Sequence, residues 1–124
     1  MRPRLRPGMR AMVVGMTPSG AKQKGRRLQN RVAALLRAKF GLAASDCRPA
    51  VMGENGADIH LSEAARARFP FAVECKNSER LNVWQALEQA QRNAGDGQRP
   101  ILVFSRNRAK DYVVPALDDF LDLL

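Results

Sequence analysis

The chain has 124 residues, enough for one domain that buries about two thirds of the surface its unfolded form exposes. Its 21 Lys or Arg against 12 Asp or Glu give a formal net charge of +9, and two cysteines with a single histidine supply neither a disulfide framework nor a four-ligand zinc site. No apolar run reaches the length of a membrane span, and AMVVGM at 11–16 is short for a signal-peptide core, so a soluble cytoplasmic protein with reduced thiols is expected.

The charge is unevenly placed. Residues 1–45 hold 11 Lys or Arg and no acid, which leaves a balance of −2 for the rest of the chain. That asymmetry fits a surface for a polyanion, held through phosphate contacts and counterion release, although a solvated basic tail has the same composition. Aromatic residues are too sparse for base stacking to be the main mode of binding.

Residues 1–22 mix Pro, Gly, Arg and Met without a period and read as a flexible basic arm before a domain at 23–124. A helix is expected from about Lys24 to Phe40, with Leu28, Val32, Leu35 and Leu36 along one stripe and Gly41 ending it. CRPAVM and ADIHL flank the Gly53 to Gly56 turn as a hairpin, and SEAARARF suggests one or two helical turns starting at Ser62. FAVECK alternates as a strand, placing Phe71, Val73 and Cys75 on one face and Ala72, Glu74 and Lys76 on the other. By the same parity Asp58 shares a face with His60.

A second helix spans about Asn82 to Ala94, capped by Asn82 with Gln85 as a capping-box partner, its stripe being Val83, Leu87, Ala90 and Ala94. Trp84 reads as a packing residue. PILVFS is a continuously apolar central strand, DYVV an edge strand, and Pro115 opens a closing helix with Leu117, Phe120, Leu121 and Leu124 in register. The order αβββαβ, followed by a strand and a helix, gives an α/β domain with a mixed β-sheet flanked by helices.

Asp58 and Glu74 need a compensating charge if their strands are buried. A hard divalent cation such as Mg²⁺ takes one or two carboxylates and completes its shell with waters and phosphate oxygens. Asp58, Glu74 and the backbone carbonyl of Cys75 could hold it, while Lys76 could orient the attacking water or neutralise charge developing on a phosphate. Glu74 and Lys76 could instead form a same-face ion pair worth under about 1 kcal/mol.

MGENGADI, FPFAVECKN, ALEQA and PILVFSRNR, taken in that order, resemble the PD-(D/E)xK nuclease superfamily, particularly small phage-type endonucleases and Holliday-junction resolvases. The resemblance runs from about Lys24 to the C-terminus and implies a restriction-endonuclease-like core. It implies an enzyme, a Mg²⁺-dependent DNA endonuclease in which Mn²⁺ can substitute, working in the cytoplasm of a bacterium or phage-infected host. Asp58 and Glu74 would hold the metal, Lys76 would assist the water, and Gln89 would position substrate or water, with Gln85 less favoured. Resolvases act as dimers, so a homodimer is an expected assembly.

Many relatives carry a glutamate on the first helix where this chain reads RRLQNR, with Gln29 or Asn30 in its place. Gln29 or a water would then fill the shell, or Glu54 would take part, and a DNA-binding protein that keeps the fold without catalysis is the alternative. Lys24, Arg26, Arg27, Arg31, Arg106 and Arg108 are candidate phosphate contacts, and His60 is an accessory candidate that could equally be a surface strand residue. Cys75 is expected in the core.

Overall fold

The computed structural model describes residues 18–124. Residues 1–17, most of the expected basic arm, lie outside it. The first helix, α1, runs Pro18–Phe40, starting six residues earlier than its apolar stripe suggests. Proline is favoured in a first helical turn, and Gln, Lys and Ala sustain the helix through its polar beginning. Gly41, at φ 63°, terminates it in the left-handed conformation that glycine adopts without strain.

The hairpin forms from β1 (Cys47–Pro49) and β2 (Ile59–Leu61), antiparallel with Cys47 opposite Leu61. It is shorter than CRPAVM suggests. Val51 and Met52 are exposed in the loop, because the pairing ends where the Ala50 N–H meets the Asp58 carbonyl and the Asp58 N–H turns instead to Val73. Helix α2 (Glu63–Arg68) is capped by Ser62, whose hydroxyl accepts the Ala65 N–H at 3.1 Å. Strand β3 (Phe71–Asn77), helix α3 (Val83–Asn93) and strand β4 (Arg99–Ser105) form a crossover unit with β3 and β4 parallel. Strand β5 (Tyr112–Pro115) pairs antiparallel with β4 and leads into α4 (Leu117–Leu121). The three-stranded sheet β3-β4-β5 is therefore mixed, with β4 at its centre as its unbroken apolar run requires.

Alternation along β3 and β4 divides the interior in two. Phe71, Val73, Cys75, Ile101 and Val103 join Leu28, Val32 and Ala33 of α1, with Cys47, Ile59, Leu61 and Ala65, in one buried cluster. The opposite face of these strands carries Ala72, Glu74 and Leu102, covered by α3 through Ala86 and Ala90. Small residues at those helix positions let the helix lie close to the sheet.

Several expected core residues are not core. Leu35 is exposed while Ala33 is buried, so the buried stripe of α1 is rotated from the expected one. Trp84 is 79% exposed because α3 meets the sheet through Ala86 and Ala90, which places position 84 on the far side. Pro115 ends β5 instead of opening α4, whose N-cap is Ala116. Leu117, Phe120, Leu121 and Leu124 are all exposed. The helix is tied to the body by Arg99, which reaches Asp119 at 3.5 Å and Asp122 at 2.9 Å.

Candidate active site

The hairpin and the main sheet meet at one residue. The Asp58 N–H donates to the Val73 carbonyl at 2.9 Å, and the Asp58 carboxylate accepts the Cys75 N–H at 2.7 Å. A side-chain carboxylate thus takes an acceptor position that a strand backbone would otherwise fill. In an extended strand the N–H and C=O of one residue point to the same side, so the Cys75 carbonyl also faces Asp58. The Cys75 thiol lies in the core, where burial first, and then the neighbouring carboxylates, push its pKa up; it stays a thiol.

Glu74 projects from the other face of β3 and is buried, its side chain 3% exposed. The Asn93 amide donates to its Oε1 at 3.2 Å, and the Lys76 ammonium stands 3.6 Å from its Oε2. Burial raises the Glu74 pKa, and the negative charge of Asp58 raises it further, against the pull of Asn93 and Lys76. Burial likewise raises Asp58, opposed by the Cys75 N–H, Lys76, Glu74 and the neighbouring Gln29. The Asp58 charge thus makes ionisation of Glu74 harder.

Asp58, Glu74, Lys76 and Gln29, all selected from the sequence, therefore converge. Gln29 reaches Asp58 from α1, so the neutral amide stands where a helix glutamate was looked for. Gln89 is half-buried on α3 one turn before Asn93 and makes no hydrogen bond among the described residues. Asn93 was not foreseen. Its signal is spacing: it follows Gln89 by four and Ala86 by seven, which puts it on the helix face that meets β3.

Glu54 and His60 are drawn elsewhere. The Arg48 guanidinium grips Glu54 through two hydrogen bonds of 3.0 Å, His60 Nε2 lies 3.0 Å from the same carboxylate, and the Val51 N–H donates to it at 2.9 Å. Arg48 first, then the Val51 N–H, hold the Glu54 carboxyl at about 2. The shared strand parity of Asp58 and His60 does not bring them together: Asp58 turns in to the Cys75 N–H, and His60 stays exposed beside Glu54.

Two clefts flank α1. One, of about 370 Å³, is lined by Lys22, Arg26, Gln29, Met52, Glu54 and Asp58. The other, of about 280 Å³, gathers Lys24, Arg27, Arg31, Arg106 and Arg108. Among the described residues no group of three or more His, Cys, Asp or Glu could hold a metal. The donors that do converge are two carboxylates, an amide and a strand carbonyl; these hard oxygen ligands suit Mg²⁺, which binds through one or two carboxylates and keeps several waters.

A family model described as phage putative PDDEXK endonuclease matches residues 20–123. The chain belongs to this PD-(D/E)xK family. No curated protein and no solved structure matches it. The match spans the described helices and strands from α1 to α4, and the restriction-endonuclease-like fold agrees with the α/β architecture and mixed sheet. Nuclease activity on DNA is what the family's description implies. No helix among the described residues is long and apolar enough to cross a membrane.

Proposed function

We propose that the protein is a Mg²⁺-dependent DNA endonuclease that hydrolyses phosphodiester bonds, with Mn²⁺ able to replace Mg²⁺. The observation that carries this reading is the convergence of Asp58, from the end of the hairpin, on Glu74 and Lys76 of β3. Asp58, Glu74 and the Cys75 carbonyl would hold the cation. When bound, Mg²⁺ lowers the pKa of a coordinated water and withdraws charge from phosphate oxygens.

The side chains have separable tasks. Asn93 fixes the Glu74 carboxylate through Oε1 and leaves Oε2 toward Lys76. Lys76 keeps an ammonium beside the reacting phosphate, where it offsets charge that grows in the transition state and orients the attacking water. Gln29 shares the cleft with Asp58 and favours its ionised form without adding a third negative charge. Gln89, further along the α3 face that carries Asn93, contacts substrate or water. Lys22 and Arg26, in the cleft with Asp58, supply phosphate contacts near the cut.

Supercoiled plasmid tests the assignment. Nicking is expected with Mg²⁺ or Mn²⁺, abolished by EDTA and by Glu74→Gln; tight DNA binding with no nicking under any divalent ion would establish the non-catalytic alternative, which the neutral Gln29 favours. A resolvase-like version of the activity predicts preferential cutting of a four-way junction over linear duplex, single strand and flap. It also predicts a homodimer, because two symmetric strands must be cut.

A further inference from the structure

The 280 Å³ cleft lies beyond the C-terminal ends of the parallel strands β3 and β4, between α1 and the turn at 106–109. Asn77 and Ser105, opposite each other at the ends of those strands, form its floor. Five cations line it. Arg31 is held by Asp111 through two hydrogen bonds, from Nε at 3.1 Å and Nη2 at 3.0 Å. Lys24, Arg27, Arg106 and Arg108 have no carboxylate partner among the described residues. Like charges gathered at one cleft repel, and an anion between them would reverse the sign of that interaction.

The turn is built to keep two of these cations in place. The buried Ser105 hydroxyl lies 3.3 to 3.5 Å from the carbonyls of Arg106, Ala109 and Lys110, and the Asn107 N–H donates to Glu79 at 2.8 Å. Arg108 sits at φ 62°, the left-handed region that a non-glycine residue occupies at a cost. Such strain persists where surrounding contacts impose it, and it clusters at ligand-binding positions.

We propose that this cleft is a phosphodiester-binding site, distinct from the carboxylate pair, that holds the DNA backbone at a phosphate other than the one cut, and that Asp111 is an internal competitor occupying Arg31 until that phosphate arrives. The bidentate grip of Asp111 on Arg31 has the geometry that arginine offers a phosphate, and the pair is solvent-accessible, so exchange of one anion for the other is cheap. Arg31 then moves from a carboxylate to a phosphate without leaving the cleft. The site rests on the DNA reading above but not on hydrolysis.

The test is binding of a labelled 30-base-pair duplex in EDTA across a salt series, where no cutting occurs, alongside Mg²⁺-dependent plasmid nicking. The side chains of Arg27 and Arg106 are exposed and make no hydrogen bond or ion pair among the described residues, so Arg27→Gln with Arg106→Gln keeps the fold. This double variant should bind more weakly, with the slope of log affinity against log salt shallower by about 1 unit for one lost phosphate contact. Asp111→Asn should do the reverse, tightening binding and steepening the slope by up to about 1 unit as Arg31 is freed. A wild-type slope in the double variant overturns the site, and weaker binding by folded Asp111→Asn overturns the competitor role. Loss of slope in a protein that never nicks DNA would sink the nuclease assignment and leave the cleft standing; full nicking with an unchanged slope would do the opposite.

Discussion

Lys76 is the cation set against both carboxylates, buried Glu74 and half-buried Asp58, and its task separates catalysis from a structural ion pair. If it acts on the water or the phosphate, Lys76→Ala should slow nicking about 100-fold or more while DNA affinity changes little. An ion pair alone would cost under about 1 kcal/mol of stability and leave the rate intact, so nicking rates of the purified variant decide between them. Asn93 acts through Glu74, and Asn93→Ala should therefore lower the rate while raising the Mg²⁺ concentration needed for half-maximal nicking. Glu54, in the cleft with Asp58 but paired to Arg48, offers a pH measurement. Its carboxyl is held at about 2 against an ordinary 4.5, mainly by Arg48, so its stabilising contacts are complete above the ordinary value and are lost as pH falls toward 2. An NMR titration should place its midpoint near 2, and Arg48→Gln should return it toward 4.5.

At the scale of elements, α3 must hold its register on the sheet, because Asn93 reaches Glu74 only from the face that Ala86 and Ala90 press down. The Asn82 side chain accepts the Gln85 N–H at 3.1 Å and satisfies one of the free donors of the first turn. Asn82→Ala should cost about 1 kcal/mol in urea unfolding, with little change in Mg²⁺-dependent nicking, since the last turn of the helix is fixed independently by packing. The hairpin has a different role. It is joined to β3 chiefly through Asp58, whose backbone and carboxylate both bond to that strand, so the carboxylate proposed to bind the metal is also a structural joint.

For the whole molecule, the neighbouring carboxylates set function against stability. Asp58→Asn keeps an oxygen for the Cys75 N–H and removes a half-buried charge from beside Glu74, so the metal-free thermal midpoint should rise. The same substitution should remove most of the stabilisation by Mg²⁺. In the wild type, Mg²⁺ at ten times its dissociation constant should add about 1.4 kcal/mol, and the midpoint should rise by several degrees. Calorimetry of both proteins with and without Mg²⁺ checks the two effects together; a wild-type midpoint indifferent to Mg²⁺ would show that the site assembles only on DNA.

Local pattern was sufficient for the elements: strict alternation marked β3, an unbroken apolar run marked the central β4, and Ser62 and Asn82 announced the two helix starts that their side chains cap. It also singled out Asp58, Glu74 and Lys76, which the structure brings together, because a carboxylate on an apolar segment is costly enough to need a reason. Parity failed at Asp58 and His60, since Asp58 lies just outside the strand and turns to a neighbouring chain segment's N–H. Periodicity alone could not decide which side of α1 or α3 is buried: Leu35 and Trp84 are apolar yet exposed, and alanines take the positions against the sheet because the helices approach closely. The contributions of Gln29, Asn93 and Asp111 come from segments far apart in sequence, and only the packing of α1 and α3 on opposite faces of one sheet brings them to their partners.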